Sequence, residues 1–485
     1  MQNCIIKGLN VILVSDQANH NYKRPTAMLI DKHEADNILK RIPGLTIKMS
    51  PELAAIDQVL NDDKLFCMIR DDLAQRYPNT LTAGRKSTPV EVILRMLAIK
   101  HLYDWSYEQT TLRVADSLVL RQFCRVYLQA TPDQSTLCRW ANLIQPQTLQ
   151  AFNQRIMSLA IDNKLTRGRK LRMDGTVVET MIHHPTDSRL LADSVRVLGR
   201  TLTRAKMLLG AGTALSKELF RNRQRSAKRA ARKIAGLSSR SQGQLKICYQ
   251  RLVQTTQATV RQVERVLAEL ENQAPDEGHN LIETLQTFLP RAQQVLDQTK
   301  RRIFCGEKVP SAEKLVSIFE PHTDIIRRGK PNKDTEFGHK VWFGEVEGGF
   351  IAQYEVLDGN PADGSQWQPT LDRHIQLFGR PPRQASADRG VHSADNEAFA
   401  AKMGVKRIVL PKPGRKSETR RQHERQRWYW RGRRFHAGVE GRISVIKRKH
   451  GLDRCRNRGE DGFERWVGWG VIANNLTAMG KGLSP

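Results

Sequence analysis

The sequence lacks the marks of a secreted, disulfide-bonded or membrane-spanning protein. Its seven cysteines lie far apart along 485 residues and none forms a Cys-x-x-Cys pair, which argues against a disulfide framework and against a zinc site. No apolar run approaches the roughly 18 residues of a spanning helix. The N-terminal stretch does not read as a signal peptide, because Lys7 and Asn10 interrupt it and no small-residue cleavage site follows. Reduced thiols in a cytoplasmic protein are the simplest interpretation.

Acidic residues are scarce relative to basic ones. The chain has 79 Lys and Arg residues against 50 Asp and Glu residues, a formal net charge of +29. This excess is larger than solubility alone requires and indicates a polyanionic partner, with nucleic acid favoured over an anionic membrane. The length allows about two to four domains with their own cores.

The N-terminal third divides into a leader and a helical segment. Residues 1–50 are the least legible; 11–14 could form a short strand, and we expect a weakly ordered leader. Residues 51–150 are predicted to form an all-helical N-terminal domain that binds DNA. Three helix starts carry capping motifs: Thr88 with Pro89 and Glu91, Ser106 with Gln109, and Thr131 with Pro132 and Gln134. The third helix is either the DNA-reading helix of a helix-turn-helix or a member of a plain bundle.

Strand signals dominate two later regions of the chain. They occur at 169–178, in a hairpin at 340–359 that turns at Gly348-Gly349, and at 383–390 and 405–414, with helical segments around 364–378 and 394–403. This order predicts an α/β core, with a mixed sheet and flanking helices built from residues 165–195 and 313–450. Residues 451–485 are expected to form a helical segment that packs on this core, with Trp466 and Trp469 as core filling.

Residues 196–312 are predicted to be a long basic helical insertion between the first and second core strands. Between 217 and 233 the only acid is Glu218, against eight basic residues: Lys217, Arg221, Arg223, Arg225, Lys228, Arg229, Arg232 and Lys233. On one continuous helix these cations cannot share a face, so much of the cylinder would be positive. A solvated helical hairpin and a phosphate-binding arm both fit this pattern.

Three acids stand out in the predicted core. Asp174 lies inside the strand LRMDGTVVET, where an Asp-Gly turn would be the structural explanation. Asp388 lies at the end of a later strand, and Glu440 lies on a helix. Three converging carboxylates would repel one another without a cation, and Mg²⁺ prefers oxygen ligands. Together they predict two-metal phosphoryl transfer.

The helix that carries Glu440 has two stripes. Val439, Ile443 and Ile446 form an apolar stripe that should pack on the sheet, which leaves Glu440 at its margin. Lys447, two turns after Glu440, faces the same way and could hold a phosphate of the scissile strand. Arg442 and Arg389 are further candidates for DNA contact, although an Arg beside an acid is often only a surface ion pair.

Several segments together resemble the DDE transposases of bacterial insertion sequences, of the ISNCY-like group. They are DGTVVETMIHHPTDSRLL, EFGHKV, SADRG, GVEGRISVIKRKHGLDRCRNRG with the following GFERWVGWGVIANNL, and GRKSTPVEVILRMLAIKHLYDWSYEQ in the helical part. The resemblance runs from about residue 80 to the C-terminus. It implies an RNase H-like catalytic core, dependence on two Mg²⁺ ions with Mn²⁺ able to substitute, and cutting and joining of DNA at element ends.

Carried over residue by residue, the resemblance assigns the catalytic and metal-binding acids to Asp174, Asp388 and Glu440, and the phosphate-contacting lysine to Lys447. The sequence departs from the family pattern before the Glu. Where many relatives have Tyr and Arg, this chain has Arg433 and His436, and Arg434 is the candidate substitute.

Other features bear on partners. Residues 412–434 are expected to form a basic loop, with Trp428 and Trp430 either stacking on DNA bases or packing on the core. His183 and His184 are interpreted as loop residues, because Mg²⁺ favours oxygen over nitrogen ligands. The expected partners are double-stranded DNA, as element ends and target, and further copies of the chain in a dimer or higher assembly. The expected location is the bacterial cytoplasm, at the nucleoid and not at a membrane.

Two alternatives remain at this stage. The chain could be an inactive transposase relic that still binds DNA, or a nuclease on the same core that does not join strands.

Overall fold

A computed structural model describes residues 27–34, 47–82, 84–209, 220–237, 241–330 and 333–484. The strand expected at 11–14 lies outside these residues. The chain divides into two compact units, one that contains His183–Pro321 and one made of Thr26–Ile182 with His322–Pro485. Among the described residues, no helix is both long enough and apolar enough to cross a bilayer.

The first part of the larger unit is helical, with one short parallel pair of strands, β1 (Ala27–Met28) and β2 (Arg85–Lys86). The helices are α1 (Pro51–Val59), α2 (Asp63–Ala74), α3 (Val90–Leu102), α4 (Tyr107–Asp116), α5 (Leu118–Phe123), α6 (Gln134–Ala141) and α7 (Pro146–Asp162). The predicted three helices between residues 87 and 144 are therefore four, because the chain is extended at Ser117 and separates α4 from α5.

The helix caps test the sequence motifs directly. The capping box of Ser106 and Gln109 at the start of α4 is confirmed. The other two cap assignments are wrong. Pro89, not Thr88, is the N-cap residue of α3 and offers no side-chain hydrogen bond. Asp133, not Thr131, caps α6, because its carboxylate accepts the amide of Thr136 at 2.8 Å.

The second part of the larger unit contains a six-stranded mixed sheet. Its strands are β3 (Lys170–Glu179), β4 (Asp324–Lys330), β5 (Lys333–Val346), β6 (Phe350–Leu357), β7 (Gln384–Ser386) and β8 (Arg407–Val409). The central strand β3 pairs antiparallel with β5 on one side and parallel with β7 on the other. β7 pairs parallel with β8, while β4 and β6 both pair antiparallel with β5.

The hairpin of β5 and β6 forms where the sequence predicts it. Its turn contains Gly348 and Gly349 with φ of 86° and 79°, a backbone region that glycine enters without a steric penalty. Strand β4 is not predicted from the sequence. Its sequence DIIRRGK shows no clear alternation, and it gains its identity by pairing with the first half of β5.

Helices lie against both faces of the sheet. They are α12 (Trp367–Phe378), α13 (Ala394–Lys402), α14 (Glu418–Arg425), α15 (Arg427–Lys449) and α16 (Glu460–Leu483). The segment 412–434 is thus mostly helical, and the expected loop is wrong. Because Gln426 is extended between α14 and α15, the basic residues after it belong to the helix that carries Glu440. As expected, Trp466 and Trp469 of α16 are buried core residues.

The smaller unit is a helical body with its own apolar core. Its helices are α8 (Asp187–Leu209), α9 (Gln224–Ala235), α10 (Gln242–Gln273) and α11 (His279–Ile303). It begins with α8, earlier than the expected residue 196. It contains more than a helical hairpin, which was one of the two alternatives, since four helices bury one continuous apolar cluster rich in Leu, Val and Ala side chains. The basic segment is not one long helix, because α9 includes only its second half.

Lys100 of α3 is a buried cation where the N-terminal helices pack on α16. It is 3% exposed, and its ammonium lies 4.7 Å from the ring centroids of both Tyr107 and Trp466. No described carboxylate lies within ion-pair distance of it. Burial, reinforced by the positive charge of Arg456, lowers the pKa of Lys100 to about 8.

Replacing Lys100 with methionine should therefore flatten the pH dependence of stability. The pKa in the folded chain lies below the ordinary value of 10.5, so the fold disfavours the protonated amine. That penalty is complete below about pH 8 and disappears above about pH 10.5. Between about pH 7.5 and 9.5 the wild type should gain about 2 kcal/mol of unfolding free energy relative to Lys100→Met. Urea unfolding at both pH values, with the exposed Lys402→Met as control, measures this gain. Parallel pH profiles of wild type and Lys100→Met would contradict it.

Candidate active site

The sheet aligns two of the three predicted acids. In the parallel pair of β3 and β7, Arg172 lies opposite Ser386. Asp174 follows Arg172 by two residues and Asp388 follows Ser386 by two residues, so both acids extend from the same end of this strand pair. Asp388 is the N-cap residue of a short 3-10 helix, Arg389–Val391, and its side chain is exposed. Asp174 is half-buried within β3, and its carboxylate accepts the amide of Gly175 at 2.7 Å.

The third acid arrives on α15, which is fixed to the sheet by a buried ion cluster. Glu345 of β5 accepts two hydrogen bonds from the guanidinium of Arg172, at 2.6 and 2.8 Å, and one from Arg442 of α15 at 3.3 Å. Arg172 also donates to the carbonyl of Phe435 on α15 at 2.5 Å. Apolar contacts also hold α15 on the sheet, because Val439 and Ile446 are buried against it as their spacing predicts. Glu440, next to Val439, stays exposed at the margin.

All three acids line one cavity of about 190 Å³. The other residues that line it are Ala387, Arg389, Val409, Pro411, Arg433, His436, Ala437 and Val439. Carboxylates that are separated by more than two hundred residues of chain, as Asp174 and Asp388 are, thus share one concave surface with two arginines and a histidine. Such a surface is both strongly charged and open to a charged substrate.

His436 is a functional candidate that the sequence analysis does not include among the site residues. It stands where many relatives have Arg, and its Nε2 lies 3.1 Å from an Asp388 oxygen. This hydrogen bond, together with the nearby Arg389 cation, lowers the pKa of Asp388. His436 precedes Glu440 by one helical turn, so this i, i+4 spacing was a usable signal. Its other nitrogen, Nδ1, is buried and has no hydrogen-bond partner among the described residues.

The donor set fits a hard divalent cation. Three carboxylates supply only oxygen ligands, which Mg²⁺ prefers while it keeps several waters, and about 190 Å³ corresponds to about six waters at roughly 30 Å³ each. In the described part of the chain, no three His, Cys, Asp or Glu side chains are already grouped as a ligand set. Asp388 and Asp174 line the cavity while each also accepts a hydrogen bond, from His436 and from the Gly175 amide respectively.

Of the other predicted site residues, Arg389 lies at this cavity, whereas Lys447 and Arg442 do not. Arg389 lines the cavity. Lys447 does not, because its ammonium donates to the carbonyl of Val177 at 2.7 Å. Arg442 is likewise absent from the lining and belongs to the Glu345 ion cluster.

The aromatic residues of α15 alternate between the interior and the solvent. Tyr429 is fully buried, whereas Trp430 is 53% exposed and carries the Arg434 guanidinium 4.8 Å from its ring centroid. Trp428 is half-buried and packs edge-to-face against His423. Arg434 therefore does not take the position opposite Asp388, which His436 occupies.

Two comparisons with protein families identify the class of the chain. Residues 45–143 match a family described as Transposase domain (DUF772), and residues 332–476 match one described as Transposase DDE domain. Both families are transposase domains, and they match two separate parts of the chain, before and after residues 144–331. Together the two matches support a DDE transposase of insertion sequences. The second match contains Asp388 and Glu440, while Asp174 and the helical unit of α8 to α11 lie outside both matched ranges.

A curated protein of Rhizobium meliloti, described as "Uncharacterized protein ORF8 in nfe locus", is 28% identical over 123 residues. The alignment covers 24% of this chain and 59% of that relative's length. No solved structure matches the chain.

Two glycines of α15, Gly438 and Gly441, test how closely this helix packs on the sheet. A Cβ at Gly438 would overlap the Arg172 guanidinium, whereas a Cβ at Gly441 would meet nothing within 4 Å. Both substitutions to alanine share the same helix-propensity gain of about 1 kcal/mol. Gly438→Ala alone must displace the Arg172 guanidinium from its hydrogen bonds to Glu345 and Phe435, so we expect it to be less stable than Gly441→Ala by about 1–3 kcal/mol. Urea denaturation measures the difference. Equal unfolding free energies of the two variants would contradict the close contact between Arg172 and α15.

Proposed function

We propose that this chain is a DNA transposase that cuts and joins DNA at insertion-sequence ends by two-metal phosphoryl transfer. The observation that carries the proposal is the single cavity lined by Asp174, Asp388 and Glu440, from three separate elements. The DDE family match supports it independently, because the matched range includes two of these acids. The sheet also supports the RNase H-like layout: β6, β5, β3, β7 and β8 are neighbours in that order, β4 pairs with β5 as well, and β5 alone runs opposite to the other strands.

In this proposal the three carboxylates would hold two Mg²⁺ ions, for which Mn²⁺ would substitute. Such ions would supply activation of a water or a DNA 3′-hydroxyl and stabilisation of the leaving oxygen. No protein nucleophile is required, so the side chains act by binding and orientation. Asp174 and Asp388 approach the cavity from two adjacent strands, and Glu440 approaches it from α15.

The cationic side chains that line the cavity are proposed to contact the DNA phosphate. Arg389 and Arg433 line it beside the acids, and guanidinium groups there would neutralise the scissile phosphate by charge-assisted hydrogen bonds. His436 orients Asp388 through its Nε2. Lys447 would reach a phosphate only by leaving Val177, so we assign the primary phosphate contact to the two arginines.

Further DNA contacts are proposed on the exposed side of α15. The Trp430 ring and the Arg434 guanidinium stack on each other in solvent, and such a pair offers both a face for a base and a charge for the backbone. Trp428 is a weaker candidate because it is partly covered by His423. Joining two element ends to a target favours a dimer or higher assembly on DNA, in the bacterial cytoplasm at the nucleoid.

The substitution Asp388→Asn tests the chemistry. It keeps the size of the side chain and removes its charge, so DNA affinity should be unchanged while cleavage falls at least about 100-fold. Duplexes that carry the sequences flanking the coding region, incubated with Mg²⁺ or Mn²⁺, provide the substrate. Asp395→Asn, an exposed acid of α13 outside the cavity, is the matched control and should cut like the wild type. If wild type and Asp388→Asn bind equally and neither cuts with either metal, the chain is a DNA-binding relic.

Strand transfer separates a transposase from a nuclease. Supplying pre-cleaved ends with free 3′-hydroxyls bypasses the first cut, because joining then needs only the DNA hydroxyl and the site. The wild type should join these ends to a target plasmid, and Asp388→Asn should not. Cleavage of uncut ends without any joining of pre-cleaved ends would instead identify a nuclease.

A further inference from the structure

The helix α9 of the smaller unit presents an unusual cationic surface. It contains no acid, and five of its residues are exposed cations: Arg225, Lys228, Arg229, Arg232 and Lys233. At about 100° per residue these five lie within an arc of about 140° and span about 12 Å along the axis. The five cations of α9 thus share one face, because the helix begins only at Gln224 and leaves Arg221 and Arg223 outside it.

The opposite side of α9 is small and apolar. Ala227 and Ile234 are buried, Ala230 and Ala231 are partly buried, and the helix packs on α8 and α10. This division fixes which side faces solvent, since rotating the helix would bury cations in an apolar core. The cationic face is therefore a permanent feature of the unit's surface.

The described residues do not neutralise the five cations of α9. None of them forms an ion pair with a carboxylate in the part of the chain that the structure describes. Instead they are one another's neighbours, as five like-charge pairs at i, i+3 or i, i+4. Each such pair destabilises a helix, and Arg225 in the first turn also opposes the helix dipole. A cationic surface that lowers stability and has no carboxylate partner among the residues that the structure describes indicates an external anion.

The chemistry of the face selects the kind of anion. We propose that the face formed by Arg225, Lys228, Arg229, Arg232 and Lys233 binds the phosphate backbone of duplex DNA without reading its sequence. Five charges over about 12 Å approach the density of B-DNA, with one charge per about 1.7 Å of axis. The face has no aromatic ring on which unpaired bases could stack. Its apolar side is already buried in the unit's core and cannot enter a membrane.

This inference rests on the proposed function and extends it to a segment that neither family match covers. It also gives the helical unit a role distinct from cleavage. The acid cavity would perform the chemistry, whereas α9 would add affinity that is independent of sequence and strongly dependent on salt.

The test compares two five-site variants of the full chain. In the first, all five cations of α9 are replaced by glutamine. In the second, five exposed cations elsewhere are replaced in the same way: Lys64, Lys300, Lys308, Lys402 and Lys406. Both variants lose the same net charge, so a difference between them reports the arrangement of the cations. Thermal melting first establishes that both are folded; the α9 variant should melt no lower than the wild type, because like-charge repulsion is removed.

Binding of a duplex of arbitrary sequence is then measured by fluorescence anisotropy over about 0.05–0.3 M salt. The α9 variant should bind about tenfold or more weakly at 0.2 M salt, and its log–log salt slope should be smaller by about three, at about 0.9 per phosphate contact. The control variant should change the slope by less than about one. Equal slopes for the two variants would overturn the proposal. So would loss of binding to phosphatidylserine vesicles by the α9 variant with unchanged duplex binding.

The two proposals can fail separately. If the wild type never cuts but its duplex binding depends on α9, the proposed function fails and the α9 assignment stands. If the wild type cuts and joins DNA while the α9 variant binds with an unaltered salt slope, the α9 assignment fails and the proposed function stands.

Discussion

The carboxylate of Glu345 is the group on which the geometry of the candidate site depends. Its side chain is 2% exposed, and it lies between the guanidiniums of Arg172 and Arg442. Removing one member of such a buried cluster typically costs about 3–5 kcal/mol, because an uncompensated charge is left behind. Here the cluster joins β5, β3 and α15, and Arg172 lies two residues before Asp174 on the same face of β3. The ion cluster therefore sets the distance between the helix of Glu440 and the strand of Asp174.

The cluster is continued by a buried amide network. Arg442 donates to Asn474 at 3.3 Å, Asn474 donates to the carbonyl of Gly349 and to Asn475, and Asn475 donates to Asn153 of α7. Asn475 also bonds both backbone groups of Ile351. Each of these polar groups would be costly to bury without its partner. The network thus requires α7, the β5–β6 hairpin, α15 and α16 to be in place together, so the helical N-terminal part supports the site without lining it.

Local chemistry made part of this fold predictable. The hairpin follows from β-rich runs around Gly348-Gly349, and the start of α4 follows from Ser106 and Gln109. Cap positions failed where two candidates lay close together, as with Thr131 and Asp133, because a carboxylate two residues later gave the better-placed acceptor. At the site, spacing correctly set Glu440 beside the buried stripe. It could not tell that Lys447 would meet the Val177 carbonyl or that His436 would face Asp388, since those depend on which strand lies opposite the helix.

The two cation-rich segments, 412–434 and α9, differ in how many of their cations form ion pairs with carboxylates. The segment 412–434 is rich in cations, yet Arg420 is bound to Glu397 and Glu424, and Lys416 is bound to Glu424. Those cations already have partners and hold α14 against its neighbours, so their excess in the sequence overstates what they offer to DNA. The cations of α9 have no such partners among the described residues. The net charge of +29 therefore does not show where the protein contacts nucleic acid. Only cations without a carboxylate partner in the fold are available to bind phosphates and release the counterions of the DNA.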